Sequence, residues 1–247
     1  GIRSTHHRWR THIKMTKLPQ YLQSYHYGMT VLKYLLVLSS ITFIFFGWFL
    51  TDFITDKIDS QRRHGFFHLA GFVALSIEHN KIKALSGTPQ DSENTNYLHI
   101  KSELAMLRNK FNSNGQTNYC RFIYIWGLRD NKVFFYADSE PENSPDMSPP
   151  GQIYTDASPE VFKCFKDGIP FIEGPLKDKW GIWMSSIAPI RDENGKIIAL
   201  LGMDTDAKEW QKDLFYDKAL CGYNNCNGIF NHHLYYFNVS YFQKSFT

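Results

Sequence analysis

Asp204 closes the apolar run KIIALLGMD (196–204). A carboxylate at the end of an apolar strand suits a ligand ammonium group or another hydrogen-bond donor. The competing use is as a cap before Ala207-Lys208-Glu209-Trp210, where an acid can accept backbone N–H groups; Asp206 is open to both uses. Trp180 and Trp183 are placed to wall an apolar pocket or to pack in a core, and Ser185 is balanced between a ligand contact and a structural bond. Asp138 ends another apolar run, KVFFYAD (132–138), and suits a ligand donor or the N–H groups that open the next loop. Period-two alternation places Tyr124 and Trp126 on one face of their strand, Phe134 and Tyr136 together on the next, and Trp183 with Ser185 on a third. The expected ligand-binding set is therefore Tyr124, Trp126, Tyr136, Asp138, Trp180, Trp183, Ser185 and Asp204. Arg121 and Lys177 are candidate partners for a ligand carboxylate, although solvated surface roles are commoner for such residues.

Catalytic and metal chemistry find little footing. The sequence holds no nucleophile elbow, phosphate-binding loop or HExxH motif. The adjacent pairs His6-His7 and His232-His233 point their side chains apart on any regular element. Cys120, Cys164, Cys221 and Cys226 form no CxxC pair, so structural zinc is not expected; one disulfide in an oxidising compartment is possible, unpaired thiols more so. The expectation is a binding protein without catalytic residues, metal or other cofactor. The net charge of +3, with no basic folded face, speaks against nucleic acid.

The elements that must position these residues follow from the patterning. Residues 34–51 (YLLVLSSITFIFFGWFLT) carry no charge and as a helix reach roughly 27 Å, near the hydrocarbon thickness of a bilayer. Residues 1–33 hold Arg3, Arg8, Arg10, Lys14, Lys17 and Lys33 and no acid, whereas Asp52, Asp56 and Asp59 follow. The positive-inside rule puts the N-terminal side in the cytoplasm and the rest outside, anchored in the inner (plasma) membrane by a single pass. Apolar residues at helical spacing from Phe53 to Ile77 predict a long helix continuing outward to Gly87-Thr88-Pro89. A second helix has Leu98, Ile100, Leu104, Met106, Leu107 and Phe111 as its expected apolar face and stops at Asn112-Ser113-Asn114-Gly115. Residues 121–126 and 132–138 form a hairpin about Asp130-Asn131. Residues 139–161 are Pro-rich and acidic, a loop with a short helix from Ser158-Pro159-Glu160. Residues 182–191 and 196–204 form a hairpin about Asp192-Glu193-Asn194-Gly195, and Phe171-Ile172-Glu173 is a candidate fifth strand. The fold class is α+β, an antiparallel sheet with helices on one face.

The runs ADSEP (137–141), PPGQIY (149–154) and EGPLKDKWGIWMSSIAPIRDENGKIIALLGMDTDAKEW (173–210) resemble the extracytoplasmic Cache, or PAS-like, sensor domains of bacterial receptors. The closest likeness is to those preceding histidine kinases of two-component systems or diguanylate cyclases. The resemblance covers about residues 53–212. It implies a single PAS-like sheet with a ligand cavity, a periplasmic input domain for a small molecule such as an amino acid, amine or carboxylate, and signalling through the membrane-proximal helix. A homodimer through the long helix is expected. The alternative function is a membrane-anchored dimerisation or interaction domain without a ligand; a third is an envelope hydrolase. The expected organisation is a basic cytoplasmic segment (1–33), a transmembrane helix (34–52), the sensor domain (53–214) and an irregular tail (215–247). The tail holds Asn224, Asn225, Asn227, Asn231 and Asn238, too polar for lipid, and reads as a frame-shifted or truncated second membrane helix; no output module is present in the 247 residues. The chain begins with Gly, and Met15 is a candidate start.

Overall fold

The structure, a computed structural model, describes residues 20–113 and 119–223. The expectations for the basic segment before residue 20, Met15, both His pairs, Cys226 and the tail from residue 224 lie outside the described residues. The chain divides into two compact units, residues 1–52 and 53–247.

Within the first unit, helix α1 (Gln20–Ser76) begins, and residues 34–51 lie along it. Its large apolar side chains are exposed, Phe43 by 77% and Tyr34 by 72%. The hydroxyls of Ser39, Ser40 and Thr42 donate to the carbonyls of Leu36, Leu36 and Leu38 at 2.9, 2.8 and 2.6 Å. Their polar groups are thus satisfied inside the helix, as an apolar solvent demands. Among the described residues this is the one helix long and apolar enough to cross a membrane.

In the second unit, α1 buries Ile58, Phe66, Leu69, Ala70, Val73 and Ala74. It ends at Ser76, earlier than the periodicity predicts. Glu78 is extended, and a short α2 (His79–Lys83) follows. Gly87, the expected stop, has φ +63° and belongs to a loop gathered by buried Asp91, which accepts from Ser86 N and Gly87 N at 3.0 and 2.7 Å. A 3-10 turn (Pro89–Glu93) leads into α3 (Thr95–Asn112), where Asn94 accepts from Asn96 N at 2.9 Å as the N-cap. The buried face of α3 is Tyr97, Ile100, Lys101, Leu104 and Leu107; Leu98 and Met106, expected on it, are exposed.

Six antiparallel strands follow: β1 (Phe122–Arg129), β2 (Lys132–Asp138), β3 (Ile153–Tyr154), β4 (Phe171–Lys177), β5 (Ile182–Arg191) and β6 (Ile197–Asp206), in the order β3-β2-β1-β6-β5-β4. With the long helix this is the expected α+β, PAS-like arrangement. Asp130 and Asn131 both have positive φ, 49° and 55°, which suits a two-residue hairpin turn. Gly195 (φ +78°) closes the β5–β6 turn, its N–H donating to Asp192 O at 2.9 Å. Helix α4 (Pro159–Asp167) starts with Pro159 in its first turn and ends at left-handed Gly168. Helix α5 (Ala207–Tyr223) follows β6 directly, so residues 215–223, expected to be irregular, are helical.

The sheet is buried on both faces, which is why β1 reads as an unbroken apolar run. One face packs Ile123, Ile125, Leu201 and Met203 against Phe66 and Val73 of α1 and Ile100 and Leu104 of α3. The other carries Phe122, Tyr124, Trp126, Phe135, Trp183 and Leu200, with Val161 and Cys164 of α4. Cys120 and Cys164 are free, buried thiols on opposite faces.

Candidate ligand-binding site

Between that second face and the segments around it lies a cavity of about 200 Å³, smaller than the ~300–1,000 Å³ typical of drug-sized ligand sites and suited to a small metabolite. Phe122, Tyr124 and Trp126 of β1, Phe135 of β2, Trp183 and Ser185 of β5, and Asp204 of β6 line it from the sheet. The end of β2 contributes Asp138, β3 contributes Tyr154, and the segments around β3 contribute Asp146, Ser148, Asp156 and Ser158. Strand β4 adds Glu173, Leu176 and Lys177, and the β4–β5 connection adds Asp178 and Trp180.

Of the eight residues the sequence singles out, seven line this cavity: Tyr124, Trp126, Asp138, Trp180, Trp183, Ser185 and Asp204. Tyr136 does not; it packs on the helix-bearing face beside Phe134, ring centroids 4.9 Å apart. Alternation from Phe135 puts it there, and a β-bulge then separates it from Asp138. Ile125 pairs with Ala137 but Trp126 pairs with Phe135, leaving Tyr136 as the extra residue. Tyr136 and Ala137 therefore share a side, and Asp138 returns to the cavity.

Asp204 sits opposite Phe122 on β1 and Ser185 on β5 and is only 5% exposed. The Tyr124 hydroxyl donates to Asp204 Oδ1 at 3.0 Å. Burial pushes the Asp204 carboxyl up to about 7; its bonds with Ser185 and Tyr124 pull the other way but do not offset the loss of water. The cap that competes for Asp204 in the sequence belongs instead to Asp206, whose Oδ1 accepts Lys208 N at 2.7 Å and Glu209 N at 3.3 Å.

Asp138 does both of the things its position suggests. It lines the cavity, and its Oδ1 accepts from Glu140 N at 3.1 Å and Lys101 Nζ at 3.0 Å, while Oδ2 accepts Ser148 N. Burial raises its carboxyl against the opposing pull of the Ser148 N–H and Lys101. Arg121 is committed to Glu140 and Asp146 and lies 4.1 Å from the Phe122 ring centroid. Lys177 is exposed at the cavity.

Residues absent from the expected set complete the walls. Asp178 Oδ1 accepts from Trp180 N at 2.8 Å, Gly181 N at 3.0 Å and Trp183 Nε1 at 2.9 Å, fixing both tryptophans. Tyr154 stacks on Trp126 at 4.7 Å and on Trp180 at 6.2 Å. Glu173 is half-buried, and burial raises its carboxyl. The Asp-x-Trp-Gly-x-Trp spacing of 178–183 and the period-two neighbour Phe122 are the sequence signals that would have found two of these. Among the described residues, Trp126 carries the one buried ring nitrogen without a partner: its Nε1–H bonds to nothing in the protein. Among the described residues, no group of three His, Cys, Asp or Glu is placed to hold a metal ion.

The fold is thus PAS-like, with one small cavity walled by aromatic and acidic side chains. No family model and no curated protein matches the chain. Solved structures similar to it are sensory domains of the Campylobacter jejuni chemoreceptor Tlp3. The ligand-binding domain in complex with L-valine is 15% identical with a TM-score of 0.41, over 80% of this chain and 68% of that one. The sensory domain with isoleucine bound gives the same figures. A further structure of the sensory domain is 17% identical with a TM-score of 0.40, over 66% of this chain and 59% of that one.

Proposed function

We propose that the chain is the small-molecule-sensing input part of a membrane-bound receptor of the histidine kinase or diguanylate cyclase type. The helix at residues 34–52 holds it in the inner (plasma) membrane, the sheet lies outside the cytoplasm, and two copies associate through α1. It binds its ligand without chemical turnover. The carrying observation is the cavity, in which a buried carboxylate, Asp204, is held by Tyr124 among fixed aromatic walls. A buried acid with no cation beside it is costly, and a ligand donor relieves that cost. The basic flank before the apolar stretch and the acidic flank after it support the orientation.

The test is thermal shift of the full chain in detergent against amino acids, amines and small carboxylates. Stabilisation that Asp204→Ala abolishes supports sensing. A flat response across the library favours a dimerisation or interaction domain without a ligand, a reading to which the exposed Phe72 and Leu75 on α1 lend weight. Conversion of any compound would instead indicate a hydrolase.

A further inference from the structure

We infer, building on the sensing reading above, that the guest is a small organic cation carrying an uncharged oxygen, such as an amino alcohol or an amino-acid amide, and not a free amino acid. The first argument is charge. Asp138, Asp146, Asp156, Glu173, Asp178 and Asp204 all line the cavity, against Lys177 alone. Two of these acids are already paired, Asp138 with Lys101 and Asp146 with Arg121, and Lys179 lies over the Trp180 ring, 4.0 Å from its centroid; the balance at the cavity stays acidic. A ligand carboxylate entering here meets like charge and leaves water without a buried partner, both of which oppose binding. An ammonium group meets Asp204.

The second argument is the walls. Trp126 lies between Tyr124 and Tyr154, ring centroids 4.5 and 4.7 Å away, and Trp180 continues the stack beyond Tyr154. The stack already draws one cation, Lys179, to the Trp180 ring at 4.0 Å, and an aromatic wall attracts cations most where water is excluded. The third argument starts from a separate observation. Trp126 is 4% exposed and lines the cavity, yet its indole N–H has no partner. A buried orphan donor is uncommon and asks for an acceptor. Since charge excludes a carboxylate, that acceptor is an uncharged oxygen, a carbonyl or a hydroxyl.

Isothermal titration of the full chain in detergent, with four-compound series built on one side chain, decides the matter: for example leucine, leucinamide, 3-methylbutylamine and N-acetylleucine, repeated for several side chains. The expected order puts the amide and amine at least tenfold tighter than the free amino acid, with the N-acetyl acid not binding. In Trp126→Phe the preference for the amide over the amine disappears while amine binding stays; in Asp204→Asn both are lost. Tightest binding by a free amino acid or an N-acetyl acid overturns this inference and leaves sensing intact. No binding by any member, or by any compound of the wider library, overturns both. The wild-type series is sufficient alone should either variant fail to fold.

Discussion

Asp204→Asn should make the protein more stable while abolishing ligand binding. The carboxyl is 5% exposed, and burial lifts it from an ordinary 3.8 to about 7. The native state therefore holds this proton more tightly than the unfolded chain does. Its contribution is fully present below pH 3.8 and is lost as pH rises to about 7; above that, the native state carries a buried charge that the unfolded state hydrates. At 1.36 kcal/mol per unit the difference is roughly 4 kcal/mol. Asparagine keeps an oxygen for the Tyr124 hydroxyl and carries no charge, so at pH 8 the variant should gain most of that amount. For a unit of this size that corresponds to a rise in Tm of roughly 10 °C. The gain should shrink towards zero as pH falls to about 4. Thermal melts followed by tryptophan fluorescence from pH 4 to pH 8 measure it. An unchanged or lowered Tm at pH 8, or a gain that does not vary with pH, refutes the reasoning that Asp204 is a costly carboxylate kept for a guest.

Affinity for a cationic ligand should rise about tenfold between pH 6 and pH 8 as Asp204 loses its proton. It is faced by Tyr124 from β1 and Ser185 from β5, which stay neutral, and by Glu173 and Asp178 from across the cavity; a flat titration profile would exclude Asp204 as the ligand's partner. Lys101→Met strands the buried Asp138 and should cost about 3–5 kcal/mol by urea unfolding, with Asp138→Asn in the same chain recovering much of it; a loss below 1 kcal/mol would show the pair to be dispensable. Gly202→Ala places a methyl into the Tyr124 ring, so about 1–3 kcal/mol of destabilisation is expected together with loss of ligand-induced stabilisation; wild-type thermal shifts would contradict the tight seat of that ring.

Local rules made most of the elements legible. Asp130-Asn131 and Asp192-Glu193-Asn194-Gly195 are turns with a steric reason, and both hairpins lie where they predict. Phe171-Ile172-Glu173 opens β4 as expected. A two-residue strand has no period to detect, so β3, at Ile153–Tyr154 inside a Pro-rich loop, was not readable. Alternation rightly keeps Tyr136 with Phe134 but does not say which face of the sheet meets the cavity, and the bulge that turns Asp138 to the other face is fixed by the partner strand and not by local sequence. The Gly87 turn that the sequence marks is real but closes a later loop, held locally by Asp91, while α1 ends eleven residues before it, at Ser76. Asp178 was missed although its bonds, to Trp180 N, Gly181 N and the Trp183 indole, all lie within five residues of it and are signalled by the Asp-x-Trp-Gly-x-Trp spacing.

Asp204 stands two residues before the end of β6, and α5 begins at the very next position after that strand. The helix is also tied to α1, through Trp210 Nε1 donating to Asp59 Oδ1 at 2.7 Å and Arg62 paired with Asp213 at 2.7 Å. On the sensing proposal, a pull on that carboxylate would reach, three residues on, the start of a helix bonded to α1. Such a linkage responds to how hard an occupant pulls and not merely to whether space is filled, so a compound that fits the hollow without gripping the acid would act as a silent blocker.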